Sequence, residues 1–402
     1  MKIYCLCDGI SFPHGEATNN RILMVGKALL QQQHSFQVFV NCKRPRNPLN
    51  VDRSGNFEGI DFRHLNRMMK LGGPKWKNAL DYYGTGFYEA FRLIRSMRRE
   101  SEPVIYLYSQ GSLFNAYISV LASLHRIPVV QEVNEWSENL ERAGLEGFVY
   151  KSVMFRFASG VLAISDFIVQ KLKRYQKADK PFPVILVPVL ADKQDWQREA
   201  DLIRPTFLWC GQLDGYLRDI LLMIQAFAIL SRKYPAYQLL LCGKYKERTK
   251  RIIERALAES FPGSHNVILT GYISDALLVE SCQQATALLS PLWHDQRSEA
   301  RFPTKLASYL FSGRPILSCQ LGETGKWLSD GENVLFFEAG DPDDLARKME
   351  FCINNPDTAR QIGIKGRALA ELSFDYRQHS GRLGGFFESV SQQAVKANPA
   401  IN

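Results

Sequence analysis

Short apolar runs rich in Val, Ile, Leu, Tyr and Phe alternate along this chain with longer stretches of helical period, and that alternation restricts the fold more than any other feature. Strands are expected at 2–7, 36–40, 59–64, 104–108, 128–132, 161–164 and 184–187, with helices at 19–33, 86–99, 113–125, 147–157 and 166–175. Runs that are apolar throughout belong in parallel sheets covered by helices on both faces. The alternation breaks once, in the mostly polar stretch 188–199, read as an interdomain linker. It restarts with strands at 207–210, 238–242, 267–269, 287–290, 315–318 and 334–337 and helices at 220–233, 247–260, 276–284, 304–311 and 342–354. The fold class expected is α/β, with two Rossmann-like, doubly wound domains in tandem: residues 1–190, residues 191–375, and a closing segment 376–402. At 402 residues and 46% hydrophobic content the chain can supply two cores. Ligands of open parallel sheets bind outside the C-terminal strand ends, so a cleft between two facing sheets is the expected site.

The net charge of +9 is one-sided: residues 1–190 hold 25 Lys and Arg against 16 Asp and Glu, and the remainder holds 25 against 25. Such a half suits a polyanionic partner such as a membrane surface, lipid phosphate or nucleic acid, or is simply a solvated surface. The basic, loop-rich stretch 44–73 is a candidate contact region or variable surface. No stretch reaches the roughly 18 apolar residues of a membrane span, and the opening Met1-Lys2-Ile3-Tyr4-Cys5 reads as a strand rather than a signal sequence, so a cytoplasmic protein, at most at the inner face of a membrane, is expected. Eight cysteines lie scattered without metal-binding or disulfide spacing. Cys5 and Cys7 are expected on opposite strand faces, and all eight as buried free thiols.

Chemistry concentrates in the strand-to-helix loops. After the first strand, Gly9 and Gly15 flank His14 in a loop whose amides could approach an acceptor or phosphates, or that merely connects; the spacing is too wide for a G-x-G-x-x-G fingerprint, which disfavours a nicotinamide cofactor. In the second half, Gly211-Gln212, Gly243-Lys244 and Gly271-Tyr272 each follow a strand directly, and the repetition points to one pocket. Arg218 stands at a helix entrance, where a fixed positive charge suits a diphosphate. Further on come Glu299, then Pro303-Thr304-Lys305 at a helix start, and Ser312-Gly313-Arg314-Pro315 before a strand.

That succession, Gly211, Arg218, Gly243, Gly271, an acidic loop, Pro303-Thr304-Lys305-Leu306 and Ser312-Gly313-Arg314-Pro315, resembles the donor domain of family 4 glycosyltransferases, and the first half is similar to their acceptor domain. The resemblance implies a GT-B fold, a nucleotide-activated sugar as co-substrate, no cofactor and no metal, and retention of the anomeric configuration. It implies donor binding by Gly15, Gly211, Gln212, Gly243, Lys244, Gly271, Tyr272, Pro303, Thr304 and Ser308, with Glu299, Arg218 and Lys305 as the catalytic group. It departs from the family's pattern at three places. Ser308 stands where the second of two glutamates is usual, Glu299 is displaced by one residue from the first, and Gln212 replaces the arginine after the glycine. On the acceptor side, Glu132 and Glu135 follow a middle strand where a histidine is common; with His14 they are candidates to handle the acceptor hydroxyl, or are structural. A saccharide or polyprenyl-diphosphate-linked acceptor in surface polysaccharide assembly, reached by peripheral contact with an anionic membrane, is the expected partner, with nucleic acid not expected. The readings that compete are a sugar-nucleotide epimerase of the same architecture and a non-catalytic binder of anions or membranes.

Overall fold

The computed structural model describes residues 1–15, 17–42, 49–67, 75–108, 113–136, 148, 153–176, 181–196, 202–261, 263–300 and 302–396. The chain divides into two compact units, Met1–Ala191 together with Tyr376–Asn402, and Asp192–Asp375. Residues 197–199 of the expected linker, residues 147 and 149–152 of the expected helix 147–157, and parts of the basic stretch 44–73 lie outside the described residues.

The first unit is built on an eight-stranded sheet of order β3-β4-β2-β1-β5-β6-β7-β8. Its strands are β1 Lys2–Asp8, β2 Ser35–Asn41, β3 Ser54–Phe57, β4 Ile60–His64, β5 Pro103–Tyr108, β6 Val129–Val133, β7 Gly160–Ala163 and β8 Val184–Leu186. The inner strands β1 and β5 are almost wholly buried because their side chains are largely apolar on both faces, and β6 is buried with its Glu132 paired to Arg21. All strand pairs are parallel except β3 with β4. Strand β3 is absent from the expectation because Ser-Gly-Asn-Phe carries no strand pattern; it is held as a hairpin edge, with Glu58 and Gly59 in left-handed conformation and Asn56 Oδ1 accepting from the Gly59 amide at 3.1 Å.

The cysteine expectation needs correction. Cys5 and Cys7 do not face apart: their sulfurs are 3.4 Å from each other, because residues two apart on a strand share a face. Both are buried free thiols, as are the other cysteines except the half-buried Cys210.

Helix α1, Ala17–Gln31, buries Ile22, Val25, Ala28 and Leu29. The C-terminal helix Tyr376–Lys396 returns to this unit and packs on α1, contributing Leu383, Phe387 and Val390 to the same core, with Ser380 Oγ donating to Gln31 Oε1 at 2.7 Å. Residues 394–396 are its last helical residues.

The second unit carries a six-stranded sheet of order β11-β10-β9-β12-β13-β14, every pair parallel. Its strands are β9 Thr206–Cys210, β10 Gln238–Cys242, β11 Val267–Gly271, β12 Ala287–Ser290, β13 Ile316–Ser318 and β14 Leu335–Phe336. The chain steps outward from β9 in one direction and then returns to add β12 on its other side, so the order reverses beside β9. The core is one cluster around Phe207, Trp209, Met223, Phe227, Leu241 and Leu289. Helix Pro342–Asn354 starts at a Pro in its first turn, with Asp341 Oδ1 capping the amides of Asp343 and Asp344. Helix Pro356–Ser373, which the apolar pattern did not announce, packs on helix Thr304–Phe311, with Gly366 beside Leu310 and Gly363 against the Gly313–Arg314 backbone that follows that helix.

Candidate functional site

Three strand ends of the second unit close on one another through glycine. The Gly211 amide donates to the Cys242 carbonyl at 2.9 Å, and the Gly243 amide donates to the Gly271 carbonyl at 2.8 Å. A side chain at Gly243 would place its first carbon 1.8 Å from the Gly211 carbonyl oxygen, so no other residue fits. The loops after β9, β10 and β11 thus form one edge, continued by Leu213 donating to the Lys244 carbonyl at 3.1 Å.

Cations are held over this edge by aromatic rings. Cys210 donates its amide to the Tyr309 hydroxyl at 2.7 Å, which ties helix Thr304–Phe311 to the end of β9. Lys305, one turn earlier on the same helix face, therefore arrives at Gly211. Its ammonium lies 3.8 Å from the centre of the Trp209 ring and 4.5 Å from that of Tyr216. Burial pushes the Cys210 thiol up, against the opposing pull of the Lys305 ammonium.

Arg218, at the start of helix Leu217–Ser231, stacks its guanidinium 3.5 Å from the Trp293 ring centre and stands 3.8 Å from Asp295. Trp293 is fixed in turn by its indole N–H, which donates to the buried Asp219 at 2.7 Å. Lys244 lies 4.9 Å from the ring of the exposed Tyr272. Trp209, Tyr216, Trp293, Asp219 and Asp295 were not anticipated from the sequence. Their only local signal is an aromatic beside each predicted cation loop, and the pairing itself is tertiary.

The remaining sequence candidates of this unit occupy three settings. Glu299 ends the short helix Gln296–Glu299, which Asp295 caps by accepting from the Ser298 amide at 2.8 Å. The Glu299 backbone is pressed by Gly322, where an added carbon would come within 2.8 Å of its Cα. Pro303 caps helix Thr304–Phe311, leaving the Thr304 and Lys305 amides in its first turn. Ser308 turns its hydroxyl toward the Thr304 carbonyl at 3.5 Å, and Gln212 is exposed.

In the first unit the candidates separate. Glu132 is 1% exposed; it pairs with Arg21 at 3.0 Å and accepts from the Tyr106 hydroxyl at 2.5 Å. Arg21 also donates to the Val187 carbonyl at 3.0 Å and to that of Pro188. The Glu132 carboxylate is thus a buried tie between sheet, helix α1 and the segment after β8, while Glu135 is exposed past the end of β6. His14 sets its ring edge against Phe57 at 4.9 Å, and its backbone is bonded to Asn50 and Asn19. Gly15, with φ +135°, is exposed beside it.

Residues 204–355 match the family described as glycosyl transferases group 1. No curated protein matches the sequence. Among solved structures, Anabaena HepE in complex with UDP and glucose is similar over 100% of both chains at 14% identity, with a TM-score of 0.69. Sucrose-phosphate synthase from Thermosynechococcus elongatus is similar over 98% of this chain and 100% of its own at 17% identity and a TM-score of 0.71. TarM is similar over 96% and 98% at 10% identity and a TM-score of 0.70. At such identities the likeness fixes the fold, so the protein has the two-sheet GT-B fold, and the stretch that matches the glycosyl transferases group 1 family lies within its second unit.

Proposed function

We propose that this protein is a glycosyltransferase whose second unit holds a nucleotide-sugar donor and whose first unit takes a saccharide or lipid-linked acceptor, with retention at the anomeric carbon. The observation that carries the reading is the edge where three glycine-ended strands meet and Lys305 rests over Trp209 and Tyr216. The solved HepE complexes contain UDP, UDP-glucose, or UDP with glucose, which supports a uridine diphosphate sugar as the donor class.

Breaking the bond between the sugar and the diphosphate leaves negative charge on the departing phosphate and positive charge at the anomeric carbon. Arg218 and Lys305 are assigned to the diphosphate, joined by Lys244 and by the first-turn amides of Thr304 and Lys305. Aromatic faces already hold two of these cations, so little reorganisation is needed when charge develops. The amides of Gly211 and Gly243 are spent on neighbouring carbonyls, so these glycines serve close approach rather than hydrogen-bond donation. Glu299 is assigned to sugar hydroxyls and Tyr272 to the base. Ser308, lacking a carboxylate, leaves the ribose to other groups. No residue here is assigned to a metal.

The excess of basic residues in 1–190 supports an acceptor presented at an anionic membrane, such as a polyprenyl-diphosphate-linked saccharide in surface polysaccharide assembly. The test is transfer from UDP-glucose by the Arg218→Ala variant, folded as judged by circular dichroism. Turnover is expected to fall about a hundredfold, the usual scale for a lost charge-stabilising donor, and normal turnover would overturn the assignment.

A further inference from the structure

The segment 75–86 of the first unit is folded with its polarity reversed. It runs as the helix Lys75–Leu80 into the π-helical turn Asp81–Gly86. Its inner face presents Asn78, Asp81, Tyr82 and Gly86, all buried. A side chain at Gly86 would stand 2.1 Å from the amide oxygen of Asn41. Among the described residues, both amide atoms of Asn41 and of Asn78, and Oδ1 of Asp81, are buried without a hydrogen-bond partner. The outer face presents Trp76, Leu80 and Tyr83, four and three residues apart, at 65%, 67% and 48% exposure, with Tyr88 following. An ordinary surface helix turns its apolar stripe inward and its polar residues to water. Burying unpaired amides and exposing large apolar side chains both cost free energy, and the second cost is removed when something apolar covers the outer face.

The chemistry around the stripe selects the cover. Residues 75–99 hold six Lys and Arg against two acids, Asp81 and Glu89. Asp81 is buried, and Glu89 is engaged by Arg63 at 2.9 Å and Arg92 at 3.2 Å, so the exposed surface is cationic. Lys77 lies 5.4 Å from the Trp76 ring centre, and Arg92 lies 6.0 Å from that of Tyr88. Rings that enter an interface while neighbouring cations stay at the phosphates are the arrangement of a helix lying on a bilayer. The core of a protein interface is instead depleted of charged residues, lysine among them. No helix among the described residues is long and apolar enough to cross a membrane.

We infer that this face docks on an anionic phospholipid bilayer, with Trp76, Leu80 and Tyr83 entering the interface and Lys77 and Arg92 beside the exposed rings meeting the headgroups. The inference rests on the reading that the acceptor is membrane-borne, and gives that contact its surface. It is tested with the full chain by sedimentation with phosphatidylcholine vesicles, with and without phosphatidylglycerol, at low and high salt. The protein should pellet with the anionic vesicles at low salt and leave them as salt rises, and the triple variant Trp76→Ser, Leu80→Ser, Tyr83→Ser should bind at least about tenfold more weakly. Circular dichroism melting reports whether that variant folds, and Leu80→Glu alone carries the test should it melt early. Protein that stays in the supernatant, or a folded variant that binds as well as the parent, would overturn the inference. So would a dimer by light scattering that the variant converts to monomer, since the face would then join two copies. UDP-induced thermal shift, measured alongside, separates this outcome from the donor reading: its absence would sink the donor assignment while leaving the vesicle result standing.

Discussion

The two sheets end in opposite ways. In the second unit the C-terminal strand edge is bare backbone at Gly211, Gly243 and Gly271, with cations laid over it on aromatic faces. In the first unit the corresponding edge is filled by side chains. Asp8 at the end of β1 accepts from the Tyr82 hydroxyl at 2.6 Å, Asn41 closes β2 beneath the turn Asp81–Gly86, and Glu132 near the end of β6 is locked by Arg21 and Tyr106. One topology therefore serves two chemistries. A bare, cation-lined edge suits a charged diphosphate that must come close to the backbone, and an edge whose acids Asp8 and Glu132 are already held by tyrosine hydroxyls and a guanidinium suits a neutral hydroxyl partner.

The sharpest way to break this comparison is to add one carbon to each edge. Gly243→Ala forces a carbon to 1.8 Å from a backbone carbonyl and should cost on the order of 4 kcal/mol or more, with loss of UDP binding. Gly9→Ala in the first unit meets nothing within 4 Å and carries only the strain of its positive φ, about 1 kcal/mol. Denaturant melts of the two variants measure the difference, and equal costs would mean that the two edges are built alike.

Next in size is Glu132→Gln. It leaves the Arg21 guanidinium buried without its carboxylate and should destabilise the first unit by about 3–5 kcal/mol. The UDP-induced shift of the second unit should persist. A small loss of stability together with a large loss of transfer would instead give Glu132 a direct role toward the acceptor.

Acid should also separate the two units. Burial lowers the His64 imidazole to about 4, where its Nε2 faces the Phe12 amide at 3.4 Å. An unfolded chain takes up this proton near pH 6.5, and the folded unit does so only near 4. The unfolded state therefore binds more protons across that window, and stability falls as pH drops from about 6.5 to about 4, by about 3 kcal/mol. Among the described residues the second unit has no buried histidine. Tryptophan fluorescence melts between pH 7 and 4 should show a loss that His64→Gln flattens, and a slope unchanged by that variant would contradict the assignment.

How legible each region was in the sequence follows from the same contrast. Strands such as Ile3-Tyr4-Cys5-Leu6-Cys7 and Gln238-Leu239-Leu240-Leu241-Cys242 announce themselves because burial on both faces demands unbroken apolar runs. The glycine edge was visible too, since each glycine follows its strand directly. Strand Ser54–Phe57 was not, because a hairpin edge needs no apolar face. The segment 75–86 was not, because its inward residues are Asn78 and Asp81, the reverse of what periodicity looks for. The cation rests lie far from their partners in the chain: Trp293 meets Arg218, and only the packing of helix Thr304–Phe311 on β9 brings Lys305 over Trp209 and Tyr216.

The central claim, that the glycine edge of the second unit holds the nucleotide, is tested most directly by amide hydrogen exchange with and without saturating UDP. Protection should rise in the stretches 211–216, 243–245, 271–272 and 304–306, and the rise should largely vanish in Lys305→Ala. Exchange unchanged across all four stretches while UDP is bound would contradict the claim.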